Sequence, residues 1–303
     1  MRRTTPLIWA ILIGICTLVL LGGTILLFFI TIPDGKDLKG CVTAKMFSVP
    51  LCPGTANYVT YAQIAPVMKN AVVVSEDASF WDHEGIDWIE LRKSFETNIE
   101  RGRLARGGST ITQQLAKNVY LSADKSLLRK AREAVIAIRL ERQYDKKFLL
   151  EKYLNVVEFD KNVYGVRQAS THYFKTHPSQ LSVAQAAWLT FLLPNPAKYS
   201  VSFHKKQLTP FAYKRMTEIV NRLARFKRIS EDERVAALYE VRGLFGGPTS
   251  SLPEVKDGLD SDLENGAEDS ELYEEESGAS EDDSENIPEG TSEEGFEQND
   301  QAE

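Results

Sequence analysis

From Pro6 to Ile32 the chain carries no charged side chain, and Leu7 to Ile30 is apolar apart from Thr17, Thr24 and glycines. At about 1.5 Å per residue, the roughly 24 residues of that stretch reach some 36 Å as a helix, enough to cross a hydrocarbon core with some tilt. A cleavable signal peptide has a shorter apolar region and a small-residue exit site. Here the stretch ends Phe28-Phe29-Ile30-Thr31-Ile32-Pro33, with no such site. Arg2 and Arg3 precede it and Asp34 follows it, so the excess of positive charge keeps the N-terminus in the cytoplasm. The pattern predicts a cytoplasmic N-terminus over 1–6, a single transmembrane signal anchor over 7–31, and everything after residue 33 outside the cytoplasmic membrane. A buried core helix is the competing reading, and the length and purity of the stretch argue against it.

That placement governs the three cysteines. Cys16 lies within the membrane, facing lipid or another helix. Cys41 and Cys52 sit in an oxidising compartment on either side of a loop with Pro50 in it; a local disulfide and two unrelated thiols both fit. Three cysteines cannot make a four-thiolate zinc site. Four scattered histidines, with His172 and His177 off the i, i+4 face of a helix, argue against a zinc enzyme.

The net charge of −7 hides a division. Residues 251–303 hold 21 acids and one base, Lys256, whereas residues 1–250 hold 22 acids against 35 bases. A basic body therefore carries an acidic extension. Residues 247–303 have few large apolar groups and are predicted to be a disordered acidic tail, either a solvated extension or a docking segment for a partner. Residues 32–60 read as a stalk or linker, because Pro33, Gly35, Gly40, Pro50, Pro53 and Gly54 break every periodic pattern. The body, 61–246, reads as mainly α. After Ser126, apolar residues fall at Leu127, Leu128, Ala131, Ala134, Val135 and Ile138, the spacing of one helix face. Ser182-Val-Ala-Gln185 is a capping box for an apolar helix that stops before Pro194.

Three polar clusters interrupt this helical sequence. In Glu76-Asp77-Ala-Ser-Phe80-Trp-Asp-His83-Glu-Gly85, two carboxylates end an apolar run, which is costly unless they are paired or functional; a solvated helix end with a core Phe80 is the plain alternative. In Arg106-Gly-Gly-Ser109-Thr110-Ile-Thr112-Gln113-Gln114-Leu-Ala-Lys117, two glycines lead into a helix that Ser109 or Thr110 can cap. A lysine near such an entry suits an anionic or phosphate-bearing ligand, although a capped helix with a polar face also fits, and the Gly-Lys-Ser/Thr of a nucleotide-binding loop is missing. In Lys125-Ser-Leu-Leu-Arg129-Lys130-Ala-Arg132-Glu133, Arg129 and Glu133 share a helix face. They form either a surface pair or a carboxylate among cations that holds a pyrophosphate. A fourth stretch, Lys146 to Asn155, reads as mainly structural.

These residues resemble the glycosyltransferase family 51 domain, the peptidoglycan transglycosylases. Four motifs appear in order: Glu-Asp-x-x-Phe-x-x-His-x-Gly (76–85), Gly-x-Ser-Thr-x-Thr-Gln-Gln (107–114), Arg-Lys-x-x-Glu (129–133) and Lys-x-x-x-Leu-Glu-x-Tyr-Leu-Asn (146–155). The resemblance covers roughly 61–200, with a weaker echo at Arg215, Val220, Arg222 and Leu223. It is closest to the monofunctional members. Ser122-Ala-Asp-Lys125 and Ser202-Phe-His-Lys205 match one transpeptidase string, but Lys-Thr-Gly is absent and no domain-sized segment remains to carry that activity.

The resemblance implies a helical, lysozyme-like fold with a cleft between a larger lobe and a smaller membrane-associated one, anchored in a bacterial cytoplasmic membrane. It implies Glu76 as general base, deprotonating the acceptor 4-hydroxyl. Glu133, with Lys117, Lys125, Arg129 and Lys130, would surround the lipid-linked pyrophosphate, while Asp77, Phe80, His83, Ser109, Thr110, Thr112, Gln113 and Gln114 would shape the cleft. The implied partners are lipid II, a lipid-linked glycan, the membrane and other cell-wall synthesis proteins, with no nucleic acid. No certain cofactor is implied; a divalent cation, Mg or Mn, at the pyrophosphate is compatible, and the metal stays open. Lys125 stands where the family usually has arginine, Asp160 follows where a glycine is usual, and Gln185 replaces a glutamate. A glycan-cutting lysozyme-like hydrolase is the nearest rival, and it needs no cationic site. A non-catalytic scaffold acting through the acidic tail is the other.

Overall fold

A computed structural model of the chain describes residues 5–100, 108–122, 124 and 126–246. Lys125, Arg106, Gly107 and the acidic segment 247–303 lie outside the described residues, and with them the reading of that segment as a disordered tail.

The apolar stretch forms one helix, α1 (Thr5–Thr31), on which Ile11, Leu18, Leu26 and Ile30 stay exposed. Its threonines are tolerated because each hydroxyl folds back onto the helix: Thr17 onto Gly14 O and Thr24 onto Leu21 O, both at 2.8 Å, and Thr31 onto Leu27 O at 2.9 Å. The end of a helix leaves carbonyls without partners. Here Arg139 supplies them, donating to Phe29 O (3.1 Å), Ile32 O (2.6 Å) and Pro33 O (3.2 Å).

The segment 32–60, expected as a stalk, is instead built onto the body. Its strands β1 (Val42–Thr43) and β2 (Pro50–Leu51) pair antiparallel, and Cys41 and Cys52 are joined in a disulfide beside them. Leu38, Ala44, Leu51 and Val59 are buried. Lys45 and Met46 donate their N–H groups to Val119 O and Asn118 O, and the Asn155 side chain brackets both backbone groups of Val59. Glycine and proline broke the periodicity without freeing the segment, because its polar backbone finds partners on helix ends.

The body is mainly α. The helices α2 (Pro66–Glu76), α3 (Trp88–Glu100), α4 (Ile111–Tyr120), α5 (Leu127–Gln143) and α6 (Lys146–Val156) come first. A hairpin of β3 (Glu158–Asp160) and β4 (Val163–Tyr164) leads to α7 (Gly165–Phe174) and α8 (Val183–Leu192). Two short helices, α9 (Pro196–Tyr199) and α10 (Val201–His204), precede α11 (Pro210–Arg225) and α12 (Glu231–Gly243). One group packs α2, α8, α11 and α12 together; in the other, α4 lies against both α5 and α6. A single apolar core runs through both groups, with Trp188, Tyr153, Phe80 and Phe159 among its largest buried side chains. The capping box at Ser182 opens α8 as expected.

Helix α5 departs from the periodicity. Leu127, Leu128 and Ala131 are exposed and Val135 and Ile138 only partly covered, while Glu133, Ile136, Ala137 and Leu140 are buried. The helix is turned so that its carboxylate faces inward, where cations meet it. Asp160 is a buried hub: its carboxylate accepts from Tyr173 Oη, Ser200 Oγ and His204 Nε2, each at 2.9 Å. Helix α3 leaves Trp88, Ile89, Phe95 and Ile99 exposed.

Candidate active site

Glu76 closes α2, whose inner face of Met68, Ala71, Val72, Val73 and Val74 is buried. The turn after it is fixed by side chains the sequence had placed in a cleft. Asp77 accepts from Ile111 N (2.9 Å), at the start of α4, and from His83 Nε2 (3.0 Å). Gly85 N donates to His83 Nδ1 (3.1 Å), so the ring's proton sits on Nε2. Gly85 has φ +92°, and an added Cβ would lie 3.0 Å from the Ala137 backbone, so only glycine lets the turn lie flat on α5.

Thr110, rather than Ser109, caps α4. Its hydroxyl accepts from Gln113 N (3.1 Å) and donates to Gly85 O (2.7 Å), and the Gln113 side chain completes the capping box. Thr112 bonds Glu141 (2.5 Å), which also pairs with Lys146 (2.8 Å), and Lys146 lies 4.5 Å over the ring of buried Phe80. Asp77, Phe80, His83, Thr110, Thr112 and Gln113 thus form a frame behind the cleft, and none of them lines it.

The cleft itself has a volume of about 320 Å³ and is lined by Glu76, Ser109, Gln114, Lys117, Arg129, Lys130, Glu133, Leu193 and Pro194. Seven of these are sequence candidates that the fold brings together; Lys125 falls outside the described residues. Lys130 bridges Ser109 Oγ (2.6 Å) and Glu133 Oε1, and Arg129 approaches Glu133 Oε2 at 3.5 Å. Arg129 Nε is buried without a hydrogen-bond partner in the described molecule, an open donor in a cationic site. Burial pushes Lys117 below its ordinary value, with Arg129 and Lys130 adding to the effect and Glu133 and Glu76 opposing it. Burial likewise raises the carboxyl of Glu76, with Asp77 adding to it, while the Gln114 amide (2.9 Å), Lys117 and Arg222 pull it back. A carboxylate raised above its usual value, in a cleft lined by cations, suits proton abstraction.

Leu193 and Pro194 were missed because apolar residues after a helix carry no chemical signal. Arg222 appeared only as an echo of the resemblance. Tyr153 read as structural, yet its hydroxyl lies 3.0 Å from Gln114 Oε1.

One cleft thus has a partly buried carboxylate, Glu76, among its lining residues together with a carboxylate held among cations, Glu133 with Arg129 and Lys130, an arrangement suited to group transfer. The transglycosylase family model matches residues 49–224, and the chain belongs to that family, with its lysozyme-like helical domain. The match begins within the segment read as a stalk. The chain is 41% identical over 201 residues to the biosynthetic peptidoglycan transglycosylase of Herminiimonas arsenicoxydans, covering 64% of this chain and 86% of that one. It is 42% identical over 172 residues to the protein of the same description from Laribacter hongkongensis, covering 57% and 73%. For the Chromobacterium violaceum protein the identity is 48% over 142 residues, covering 47% and 62%. The chain is a monofunctional peptidoglycan glycosyltransferase of cell-wall synthesis, and α1 is long and apolar enough to anchor it in a membrane.

Both Glu133 oxygens face cations, and no three His, Cys, Asp or Glu side chains converge among the described residues.

Proposed function

We propose that the cleft polymerises lipid II into β-1,4-linked glycan, with undecaprenyl pyrophosphate released from a lipid-linked glycan donor. The observation that carries this reading is the placement of Glu76 and the Arg129–Lys130–Glu133 cluster on one cleft. Glu76 takes the proton from the acceptor 4-hydroxyl as that oxygen bonds to the donor anomeric carbon from the face opposite the leaving group. The anomeric carbon–oxygen bond to pyrophosphate breaks, its electron pair leaves with the phosphate, and the configuration inverts. Lys117, Arg129 and Lys130 receive the charge, and Glu133 keeps Lys130 and Arg129 aimed at it. The body works on the extracytoplasmic side, with Arg2 and Arg3 in the cytoplasm. Exposed Trp88, Ile89, Phe95 and Ile99 on α3 suit a lipid surface, which is where both substrates lie.

The test is polymerisation of labelled lipid II by detergent-solubilised protein, run beside Glu76→Gln. The wild type should make long glycan and the variant should lose about 10²–10⁴-fold in rate. No polymer from well-folded wild type would sink the reading.

A further inference from the structure

We propose that Tyr153 is a positioning residue for the base: its hydroxyl holds the Gln114 amide in the one orientation that donates to Glu76. This rests on the reading of Glu76 as general base. A glutamine amide has two ends of opposite meaning, an NH₂ that donates and a carbonyl that accepts. An ionised carboxylate can only accept, so it needs the NH₂ end; a protonated carboxyl can donate to the carbonyl end. An amide free to turn would suit either form of Glu76 and favour neither.

Here the amide is held at both ends. Gln114 Nε2 is 2.9 Å from Glu76 Oε2, and Gln114 Oε1 is 3.0 Å from Tyr153 Oη. Tyr153 is fully buried, and among the described residues Gln114 is the one hydrogen-bond partner of its hydroxyl. A buried phenol with one partner places its proton on that partner, because as an acceptor it would leave its own O–H buried and unpaired. The relay runs from α6 through α4 to the end of α2. Other charged groups around Glu76 are Asp77 on its own turn, Lys117 from α4 and Arg222 from α11, with Glu133, Arg129 and Lys130 of α5 on the far wall of the cleft. None of these sets which end of the amide faces Glu76; Tyr153 does.

Removing the hydroxyl frees the amide to turn its carbonyl toward Glu76, which favours the protonated acid. The sign follows: the acidic limb of the pH–rate profile moves to higher pH, and the loss is largest at low pH. The experiment uses the full-length enzyme in detergent with labelled lipid II, measuring kcat/KM against pH for the wild type, Tyr153→Phe, Gln114→Leu and the double variant. Tyr153→Phe should shift the limb upward by about half to one pH unit, and should shift nothing further in the Gln114→Leu background. A uniform loss at every pH, an unmoved limb, or a shift that persists in the double variant overturns the proposal. Should Tyr153→Phe not fold, 3-fluorotyrosine at position 153 is a stronger donor in an unchanged frame and should move the limb to lower pH; an unmoved limb there also overturns it. An active Glu76→Gln variant is a different result and removes the base reading itself.

Discussion

At neutral pH an ionised Glu76 works against the fold that holds it. Its carboxyl is raised chiefly by burial, so the native state binds the proton more readily than the unfolded chain does. The cost is absent below the unfolded carboxylate value of about 4.3 and grows as pH rises toward the raised native value. Glu76→Gln should therefore melt a few degrees higher than the wild type at pH 7 and together with it below pH 4, as read by circular dichroism. Coincident melting at both pH values would show that burial does not strain this carboxylate. The same residue scale separates the candidates by job. Glu76, Lys117, Arg129, Lys130 and Glu133 face the cleft, whereas Asp77 and His83 bind backbone and each other to hold the turn in place.

Helix α5 serves two neighbours with two faces. Its Arg129, Lys130 and Glu133 line the cleft, and Arg139, farther along, caps the end of α1. The cationic cluster is thereby tied to the apolar helix α1 through one element. Arg139→Ala should leave the carbonyls of Phe29 and Ile32 without these partners, and hydrogen exchange over residues 29–40 should quicken by roughly tenfold while α4 and α6 keep their protection. Equal exchange in variant and wild type would mean that the cap adds nothing to the anchor's attachment. Periodicity pointed to Leu127 and Leu128 as the covered face of α5 and missed Glu133, because a hydrophobic pattern cannot register a carboxylate that is buried with its cations.

For the molecule as a whole, the cleft is assembled within residues 76–194, so catalysis should not need the acidic extension. A variant lacking residues 251–303 should polymerise lipid II within about threefold of the full chain; loss of polymer with the fold intact would favour a role for the extension in activity. The sequence by itself determined the membrane-length helix, the mainly α body and the cluster residues, because uninterrupted apolar length, helical periodicity and capping patterns are local properties of the chain. The motif resemblance pointed to the family. Only the tertiary structure decided that residues 32–60 belong to the body, that Thr110 rather than Ser109 caps α4, and which side chains face the cleft and which face backbone. It alone brought Leu193 and Pro194 to the cleft and Tyr153 to Gln114. Those outcomes depend on contacts between residues far apart in the chain, such as Tyr153 with Gln114 and Asn155 with Val59, and no local pattern encodes the packing that makes them neighbours.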